Sequence, residues 1–336
     1  TAFTQPKPGL KGKLAFHTQK QLLRLKEKGT IYDASIGTEE ETIAIAKKII
    51  QNHPIKTLIC TGAPFNWLYL GARLKKEFPQ LKYLADYRDP WLTAKNYGMP
   101  QLNDKQRTHE TAKQQEVLDV ADFVSSPYEG LTNKTLSESA TEPFSQPLVI
   151  PHFFDPNSLP PLVPQMENGT FTIVYGGACY MGSKTYLEGL KKAIAELKGL
   201  RPDLHRILRI KIYSSDYDQF TSIFGASDQV MIGKNIGEKL FHEINASSAS
   251  MILLADHNKD FQTTKFWEFV SRRKPICYIG PAGLSQSVLE NNNWGMGIST
   301  GQDLISFMEK KDWNRSSDFS DHTVDHIAEL LENEVL

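Results

Sequence analysis

The chain has 336 residues, of which 40% are hydrophobic and 23% are charged, so it is long enough for two domains of ordinary globular composition. A formal net charge of −1, without a clustered Lys/Arg stripe, argues against nucleic acid as a partner. No run of about 18 consecutive apolar residues occurs, so no membrane-spanning helix is predicted. The three cysteines are far apart and have no spacing typical of a zinc site.

The first half of the sequence alternates short apolar strands with amphipathic helices from Thr38 onward. Thr38 and Glu41 have the spacing of a capping box, which predicts a helix ending near Asn52. This alternation is typical of a parallel sheet that is covered by helices on both faces. The further predicted strands are 57–60, 83–85, 123–125 and 148–151, and the further predicted helices are 66–78 and 104–120.

A segment rich in proline follows the fourth strand, with prolines at 156, 160, 161 and 164. Such a segment predicts a stiff linker, which we place at 153–168, between an N-terminal domain at 1–152 and a second domain at 169–318. Residues 319–336 carry apolar side chains on one face of a helix, which we expect to pack back on the N-terminal domain. The predicted strands of the second domain are 171–175, 208–213, 230–232, 251–254 and 275–279, and a helix is predicted at 185–197.

Glycines end the first predicted strand of the second domain, at Gly176 and Gly177, and Lys184 begins the helix that follows. Glycines let the backbone approach a ligand closely, and the free amides of a helix start bind phosphate. Glycines also end strands without any ligand, so this alternative stays open. The spacing Gly177-x4-Gly182-Ser-Lys184 nearly matches a P-loop, but the lysine comes one position late for that motif.

A pair of acidic residues flanks another predicted helix start: Asp260 precedes it and Glu268 lies two turns further on. The amides of 262–264 lie between the two carboxylates, and this arrangement suits a pyrophosphate with sugar hydroxyls on either side. Taken alone, an acid at a helix start and an exposed glutamate would also explain the pattern.

Five sequence blocks between Thr57 and Gly297 resemble, in order and spacing, GT-B glycosyltransferases of the retaining family-four type. The block with the most matching positions is Lys265-Phe-Trp-Glu268-Phe-x5-Pro-Ile, which resembles the Lys-Leu-Phe-Glu-Tyr…Lys-Pro-Ile block of that family. The other four are Asp86-Tyr-Arg-Asp-Pro-Trp91, Glu116-Val-Leu-Asp-Val-Ala-Asp-Phe-Val-Ser125, Ile150-Pro-His-Phe-Phe-Asp155 and Val174-Tyr-Gly-Gly177.

The resemblance implies an α/β fold with two Rossmann-like, doubly wound parallel-sheet domains that face a cleft. It also implies site residues. Glu268 would hold the ribose hydroxyls and Asp260 the donor sugar, although the family has glutamate at the latter position. Arg88 and Asp89 would face the reacting groups, or else form an ion pair that fixes their own loop. The residues left for the diphosphate are Gly176, Gly177, Lys184, Gln262, Thr263, Thr264 and Lys265, while Cys179 stands where the family has arginine.

The implied activity is transfer of a sugar, with retention, from a nucleotide sugar to an acceptor hydroxyl in bacterial polysaccharide or glycolipid synthesis. A nucleotide-sugar epimerase of the same fold and a non-catalytic nucleotide-sugar binding protein are the alternatives. The nucleotide sugar is a substrate, and the family needs no further cofactor and no metal. Asp216-Tyr-Asp218 has the Asp-x-Asp pattern of metal-dependent glycosyltransferases, but those enzymes have another fold, and here the triplet follows a predicted strand, so we interpret it as a solvated turn. The implied partner is a carbohydrate or lipid-linked acceptor, and the implied location is the cytoplasm, with peripheral contact at the inner membrane face as an option. The family's first strand and glycine-rich loop have no counterpart before Thr38, so we expect an incomplete N-terminal domain.

Overall fold

The computed structural model describes residues 18, 37–93, 99–140, 145–155, 157, 169–256, 259, 262–314 and 319–336. Most of the predicted linker (156 and 158–168) and the predicted sugar-binding residue Asp260 lie outside these ranges. The chain forms two compact units, one comprising Thr1–Pro151 with Ile327–Leu336 and the other comprising His152–His326.

The first unit contains a four-stranded parallel sheet whose strands follow the order of the chain. Its second strand is buried at every position except Lys82, as expected for a parallel strand covered on both faces. The strands are β1 (Thr57–Gly62), β2 (Lys82–Tyr87), β3 (Phe123–Ser126) and β4 (Gln146–Val149), and the helices are α1 (Glu39–Asn52), α2 (Asn66–Glu77), α3 (Asp104–Leu118) and α4 (Glu129–Ser137), with a 3₁₀ turn at Met99–Gln101.

The capping box predicted at Thr38 is wrong, because no side chain caps α1 there. Two other helices begin with a capping box. The side chain of Asn103 accepts a hydrogen bond from the backbone N–H of Gln106, whose side chain accepts one in return. Thr300 and Asp303 form the same reciprocal pair in the second unit. Asparagine and threonine both cap well, so short spacing patterns do not by themselves identify the helix start that uses them.

The second unit contains a six-stranded sheet in which all pairs are parallel, in the order β10-β9-β8-β5-β6-β7. Its strands are β5 (Phe171–Gly176), β6 (Leu208–Ser214), β7 (Val230–Lys234), β8 (Ala249–Leu253), β9 (Ile276–Ile279) and β10 (Gly295–Gly297). Its helices are α5 (Lys184–Leu200), α6 (Pro202–Ile207), α7 (Tyr217–Phe224), α8 (Lys239–Ala246), α9 (Thr264–Val270), α10 (Leu284–Asn291) and α11 (Gly301–Glu309). These observations confirm the predicted fold class, an α/β protein with two parallel-sheet domains.

Two apolar cores lie on opposite faces of this sheet, because alternate residues of a strand point to opposite sides. On β5, Ile173 and Tyr175 belong to the core that contains α5, whereas Val174 belongs to the core that contains α8 and α9. Each fully buried aliphatic side chain contributes about 1.5–3 kcal/mol to stability. The helices on both faces are therefore held firmly to the strands that they follow.

The last helix, α12 (Val324–Glu334), ends in the first unit. Ile327 and Val335 are buried, and the Lys82 ammonium at the start of β2 donates a hydrogen bond to the carbonyl oxygen of Val335 at 3.1 Å. No helix within the described ranges is long and apolar enough to span a lipid bilayer.

Candidate functional site

The strand order of the second unit creates a topological switch point between β5 and β8. From β5 the chain proceeds outward to β6 and β7 and then returns to the other side of β5 to form β8. The loops that follow β5 and β8 therefore diverge toward opposite faces of the sheet and leave a crevice at the carboxyl ends of the strands. Open α/β sheets bind ligands at such a crevice. The predicted glycines follow β5, and α9 follows β8.

Both glycines after β5 lie too close to neighbouring side chains to carry one of their own. A Cβ atom on Gly176 would lie 2.1 Å from Leu240 Cδ2 on α8, and one on Gly177 would lie 2.6 Å from the hydroxyl of Tyr175. The Gly177 amide is already engaged, since it donates a hydrogen bond to the carbonyl oxygen of Tyr213 at 3.2 Å. These glycines thus have a packing reason for being small.

The rest of the loop after β5 is fixed by the Asp216 carboxylate, which accepts a hydrogen bond from the Cys179 amide at 2.8 Å. The interpretation of 216–218 as a solvated turn is therefore wrong for Asp216, since this residue orders the loop. Gly182 then takes a left-handed conformation with φ of 92°, which glycine adopts without steric cost. Lys184 begins α5 with an exposed side chain, and its ammonium lies 3.7 Å from Glu188 one turn on.

The loop after β8 is held at the crevice from two sides. On one side, the Tyr186 hydroxyl of α5 donates a hydrogen bond to the Asp256 carboxylate, and this bond raises the pKa of Tyr186 to about 12. On the other side, the Lys265 ammonium of α9 donates to the carbonyl oxygen of Gly176 at 2.7 Å. Lys265 therefore connects α9, which follows β8, to the end of β5 across the switch point.

The first turn of α9 contains the predicted amide donors at Gln262, Thr263 and Thr264. Thr263 is the N-cap residue, and its side chain accepts a hydrogen bond from the backbone N–H of Phe266 at 3.3 Å. The Thr264 hydroxyl lies 3.4 Å from Nδ1 of His152. The imidazole of His322 donates to the carbonyl oxygen of His152 at 3.0 Å and stacks on the ring of Trp267.

Glu268 and Lys265 are both partly buried on α9, and burial moves their pKa values in opposite directions. Desolvation raises the pKa of Glu268, and the positive charges of Lys265 and Arg272 partly offset this shift. Desolvation lowers the pKa of Lys265, and the charge of Glu268 partly offsets that shift. Within the described ranges, no group donates a hydrogen bond to the Glu268 carboxylate. The alternative of an exposed glutamate therefore does not describe this residue.

In the first unit, Arg88 follows β2 and is held within its own domain. Its guanidinium donates to the Asp86 carboxylate at 2.7 Å and to the carbonyl oxygen of Ile150 at 3.1 Å. Asp86 is buried and also accepts a hydrogen bond from the Ser125 hydroxyl at 2.8 Å. Asp89 lies on the same loop with a partly exposed side chain. Arg88 has the contacts expected of the structural alternative, and the catalytic roles of both residues stay predictions.

The sequence analysis assigned no site role to three residues that the structure places here: His152, Asp216 and Arg272. His152 and Asp216 act through contacts that join distant parts of the chain, which a local pattern does not reveal. Arg272 could have been identified from the sequence, since it lies four residues after Glu268 and residues at that spacing share a helix face. Asp260 lies outside the described residues, and its role stays a prediction.

No family model and no curated protein matches the sequence. Among solved structures, the fold is similar to HepE of Anabaena in complex with UDP-glucose, with a TM-score of 0.56 at 12% identity, covering 86% of this chain and 82% of HepE. It is also similar to the sucrose-phosphate synthase of Thermosynechococcus elongatus, with a TM-score of 0.55 at 12% identity and coverage of 82% and 69%. A third similar structure is the UDP-forming α,α-trehalose-phosphate synthase of Burkholderia xenovorans, with a TM-score of 0.56 at 8% identity and coverage of 81% and 70%. At these identities the likeness concerns the fold, which is that of GT-B glycosyltransferases.

Proposed function

We propose that this protein is a glycosyltransferase that moves a sugar from a nucleoside-diphosphate sugar to an acceptor hydroxyl, with retention of configuration. The observation that carries the proposal is the Glu268 carboxylate, which is partly buried beside a topological switch point and accepts no hydrogen bond from the described residues. A carboxylate that is desolvated without a donor lowers the stability of the folded protein. Ribose hydroxyls would supply the missing donors, and the GT-B fold supports the choice of a nucleotide sugar as the ligand.

The remaining donor contacts follow the family resemblance. Asp260 would hold the donor sugar, and Arg88 and Asp89 would act on the reacting groups. The diphosphate would lie against the glycines after β5, the first turn of α9 and the two lysines (Gly176, Gly177, Gln262, Thr263, Thr264, Lys184 and Lys265). The Gly177 amide donates to Tyr213, so in our proposal Gly177 contributes close approach of the backbone.

Lys265 is the residue that we expect to stabilise the leaving group. An ammonium has three N–H groups, and one of those on Lys265 donates to the Gly176 carbonyl oxygen. The others can meet the negative charge that develops on the diphosphate as the glycosidic bond breaks. A charge that is already fixed and partly desolvated stabilises such a transition state without reorganisation.

We place the acceptor among carbohydrates or lipid-linked sugars of bacterial polysaccharide or glycolipid synthesis, on the cytoplasmic side, with peripheral membrane contact where the acceptor is lipid-linked. This part of the proposal is supported by the family resemblance. The donor diphosphate contacts use the lysines and amides named above, and no metal ion or further cofactor enters the proposed reaction.

The test is isothermal titration calorimetry with UDP, GDP, ADP and CMP at pH 7.5, on the wild type and on Glu268→Gln. We expect one nucleoside diphosphate to bind and Glu268→Gln to weaken it about 10- to 100-fold, because a hydrogen bond to a charged acceptor contributes about 1.5–3 kcal/mol. Glu329→Gln, an exposed glutamate of α12, is the matched control and should bind like the wild type. If no nucleotide binds, or if Glu268→Gln binds as tightly as Glu329→Gln, the proposed site is wrong.

Turnover separates the three functional alternatives. Incubation of the protein with the nucleotide sugar and a panel of sugar acceptors should release the nucleoside diphosphate and form a new glycoside, whose anomeric proton reports retention. An epimerase would convert the nucleotide sugar into a second nucleotide sugar without any acceptor. A binding protein would leave it unchanged.

A further inference from the structure

A buried carboxylate of α3 holds the loop that follows β2. Glu110 and Trp91 are only 2% and 1% exposed, and the Trp91 indole N–H donates a hydrogen bond to Oε2 of Glu110 at 2.8 Å. The other oxygen, Oε1, lies 4.0 Å from the Lys113 ammonium on the same helix. The ring of Phe65 stacks on the indole, with the ring centres 5.4 Å apart. The hydrogen bond and the stacked ring together fix the indole in one place, and a bond to a charged acceptor is about twice as strong as one between neutral groups.

Two cationic side chains hold the same loop at the residues that follow the indole. Arg107, one turn before the buried carboxylate on α3, donates hydrogen bonds to the carbonyl oxygens of Leu92 at 3.4 Å and Met99 at 3.0 Å. The Lys134 ammonium of α4 donates to the Thr93 hydroxyl at 3.0 Å. The loop after β2 is therefore attached to α3 and α4 by polar contacts of side chains, in addition to its apolar packing.

The beginning of the loop is held independently at Arg88. The Arg88 amide donates a hydrogen bond to the carbonyl oxygen of Gly62 at 2.8 Å, and its guanidinium is bound to a carboxylate and a carbonyl oxygen of the same unit. Asp89 lies between Arg88 and Trp91, with a partly exposed side chain at the carboxyl end of the first sheet. Open α/β sheets bind ligands at that end. Because the chain is fixed on both sides of Asp89, the place of its carboxylate depends on the attachment at Trp91.

We propose that Glu110 is a positioning residue, which sets the place of Asp89 for glycosyl transfer by holding the indole of Trp91. This inference rests on the proposed function, since it assigns Glu110 to the reacting groups of the same enzyme. Glu110 acts through the indole and, buried behind it, touches neither the donor nor the acceptor. A displacement of about 1 Å can lower the rate of a reaction about 100-fold, so a loop that carries a reacting group needs a firm attachment.

The test is steady-state kinetics with four donors, UDP-glucose, UDP-N-acetylglucosamine, GDP-mannose and ADP-glucose, and a panel of sugar acceptors, continued with the donor that the wild type uses fastest. Glu110→Leu removes the acceptor of the hydrogen bond. Trp91→Phe removes its donor and keeps an aromatic ring beside Phe65, so it tests the same bond where Glu110→Leu fails to fold. Glu110→Gln keeps an oxygen that can accept from the indole and tests rescue by a conservative change. All rates are measured at a temperature at which thermal melts show each variant to be folded.

Ser145→Ala is the matched control, because it removes a buried hydrogen bond from the same unit at the opposite edge of the sheet. The Ser145 hydroxyl donates to the carbonyl oxygen of Ala121 at 2.8 Å, and these residues precede β4 and β3. Loss of this bond lowers the stability of the unit and leaves the contacts of the loop after β2 in place. We expect the kcat of Ser145→Ala to stay within about twofold of the wild type.

We expect Glu110→Leu and Trp91→Phe to lower kcat about 10- to 100-fold and to leave the KM for the nucleotide sugar within about twofold of the wild type, since the proposed donor contacts lie in the second unit. Glu110→Gln should lose less than about threefold in kcat. In the Asp89→Asn background, Trp91→Phe should cause little further loss, because the group that the indole positions is already disabled. Full additivity of these two changes would overturn the inference.

The outcomes separate this inference from the function on which it rests. If the wild type transfers sugar, but the folded Glu110→Leu and Trp91→Phe variants keep the kcat of Ser145→Ala, only the inference fails. The same holds if Asp89→Asn keeps the wild-type kcat, since there is then no group for Glu110 to position. If the wild type releases no nucleoside diphosphate from any of the four donors, the proposed function is overturned, and the inference is overturned with it.

Discussion

Replacement of Gly176 by alanine should lower the free energy of unfolding, because the end of β5 lies against the side chain of Leu240. The new Cβ would lie 2.1, 2.5 and 2.8 Å from Leu240 Cδ2, Cδ1 and Cγ. Carbon atoms in contact prefer about 3.5–4.0 Å, so the whole isobutyl group must move by more than about 1 Å. Rotation of a terminal methyl does not relieve the overlap, since Cγ is also too close.

The cost of such overpacking is about 1–3 kcal/mol. Alanine recovers part of this, because the unfolded chain loses less entropy with alanine than with glycine, by about 0.5–1 kcal/mol. We therefore expect Gly176→Ala to be destabilised by about 1–2 kcal/mol. Gly189→Ala is the matched control, because a Cβ on this glycine within α5 has no neighbour within 4 Å, and it should instead stabilise the protein by about 0.5–1 kcal/mol.

The assay is urea denaturation followed by tryptophan fluorescence, on the two single variants, on Leu240→Ala and on the Gly176→Ala/Leu240→Ala double variant. Removal of the Leu240 side chain removes the overlapping atoms, so Gly176→Ala should become neutral or slightly stabilising in that background. If Gly176→Ala is as stable as the wild type, or equally destabilised with and without Leu240, the packing argument fails.

Three further variants test single features of the second unit. Arg273 has a left-handed φ of 54°, so Arg273→Gly should raise the free energy of unfolding by about 0.5–1 kcal/mol in urea denaturation, whereas Lys274→Gly should lower it. Asp216→Ala should lower it by about 1–2 kcal/mol, because the Cys179 amide loses its acceptor, and Asp216→Asn should restore part of the loss. Burial lowers the pKa of His322, so the unfolded chain binds more protons there and the stability of the wild type should fall as the pH drops below about 6.5; His322→Gln should flatten this fall in thermal melts between pH 7 and pH 5.

Each of these predictions has an outcome that contradicts it. A lower urea midpoint of unfolding for Arg273→Gly would mean that the arginine side chain stabilises this turn by more than its backbone strain costs. Equal stability of Asp216→Ala and the wild type would mean that the loop after β5 is ordered by other contacts. An unchanged pH dependence in His322→Gln would mean that a group other than His322 takes up the proton that lowers the stability.

Five of the six strands described in the second unit were predicted, because each contains a short apolar run between turn residues. The sixth, β10, was missed, because two of its three residues are glycines. The prediction of 171–175 differs from β5 by one residue at its end, where Gly176 continues the pairing with β6. The order of the strands was not readable from these runs, since local patterns contain no information on which strands pair. The switch point between β5 and β8 was therefore not predicted from the sequence.

The site was predictable to the extent that its chemistry is local in sequence. Lys265 and Glu268 were identified from one motif, and both lie on α9 as that motif requires. The bond from Lys265 to Gly176 spans 89 residues and the bond from Asp216 to the Cys179 amide spans 37, so neither leaves a local signal. Lys184 was placed from the sequence among the phosphate contacts, and the structure shows it at the surface beside Glu188.

The energetics of α9 connect the fold to the proposed function. A glutamate whose pKa is raised in the folded state contributes stability below its unfolded pKa and loses that contribution as the pH rises through the folded value. At neutral pH, the charged forms of Glu268 and Lys265 are therefore both less favourable in the folded protein than in the unfolded chain. Lys265 offsets its desolvation in part through its hydrogen bond to the Gly176 carbonyl oxygen, while Glu268 has no donor among the described residues. A partly buried carboxylate that has no donor among the described residues, next to a cation that hydrogen bonds to the end of β5, is the pair of observations from which we propose a nucleotide ligand.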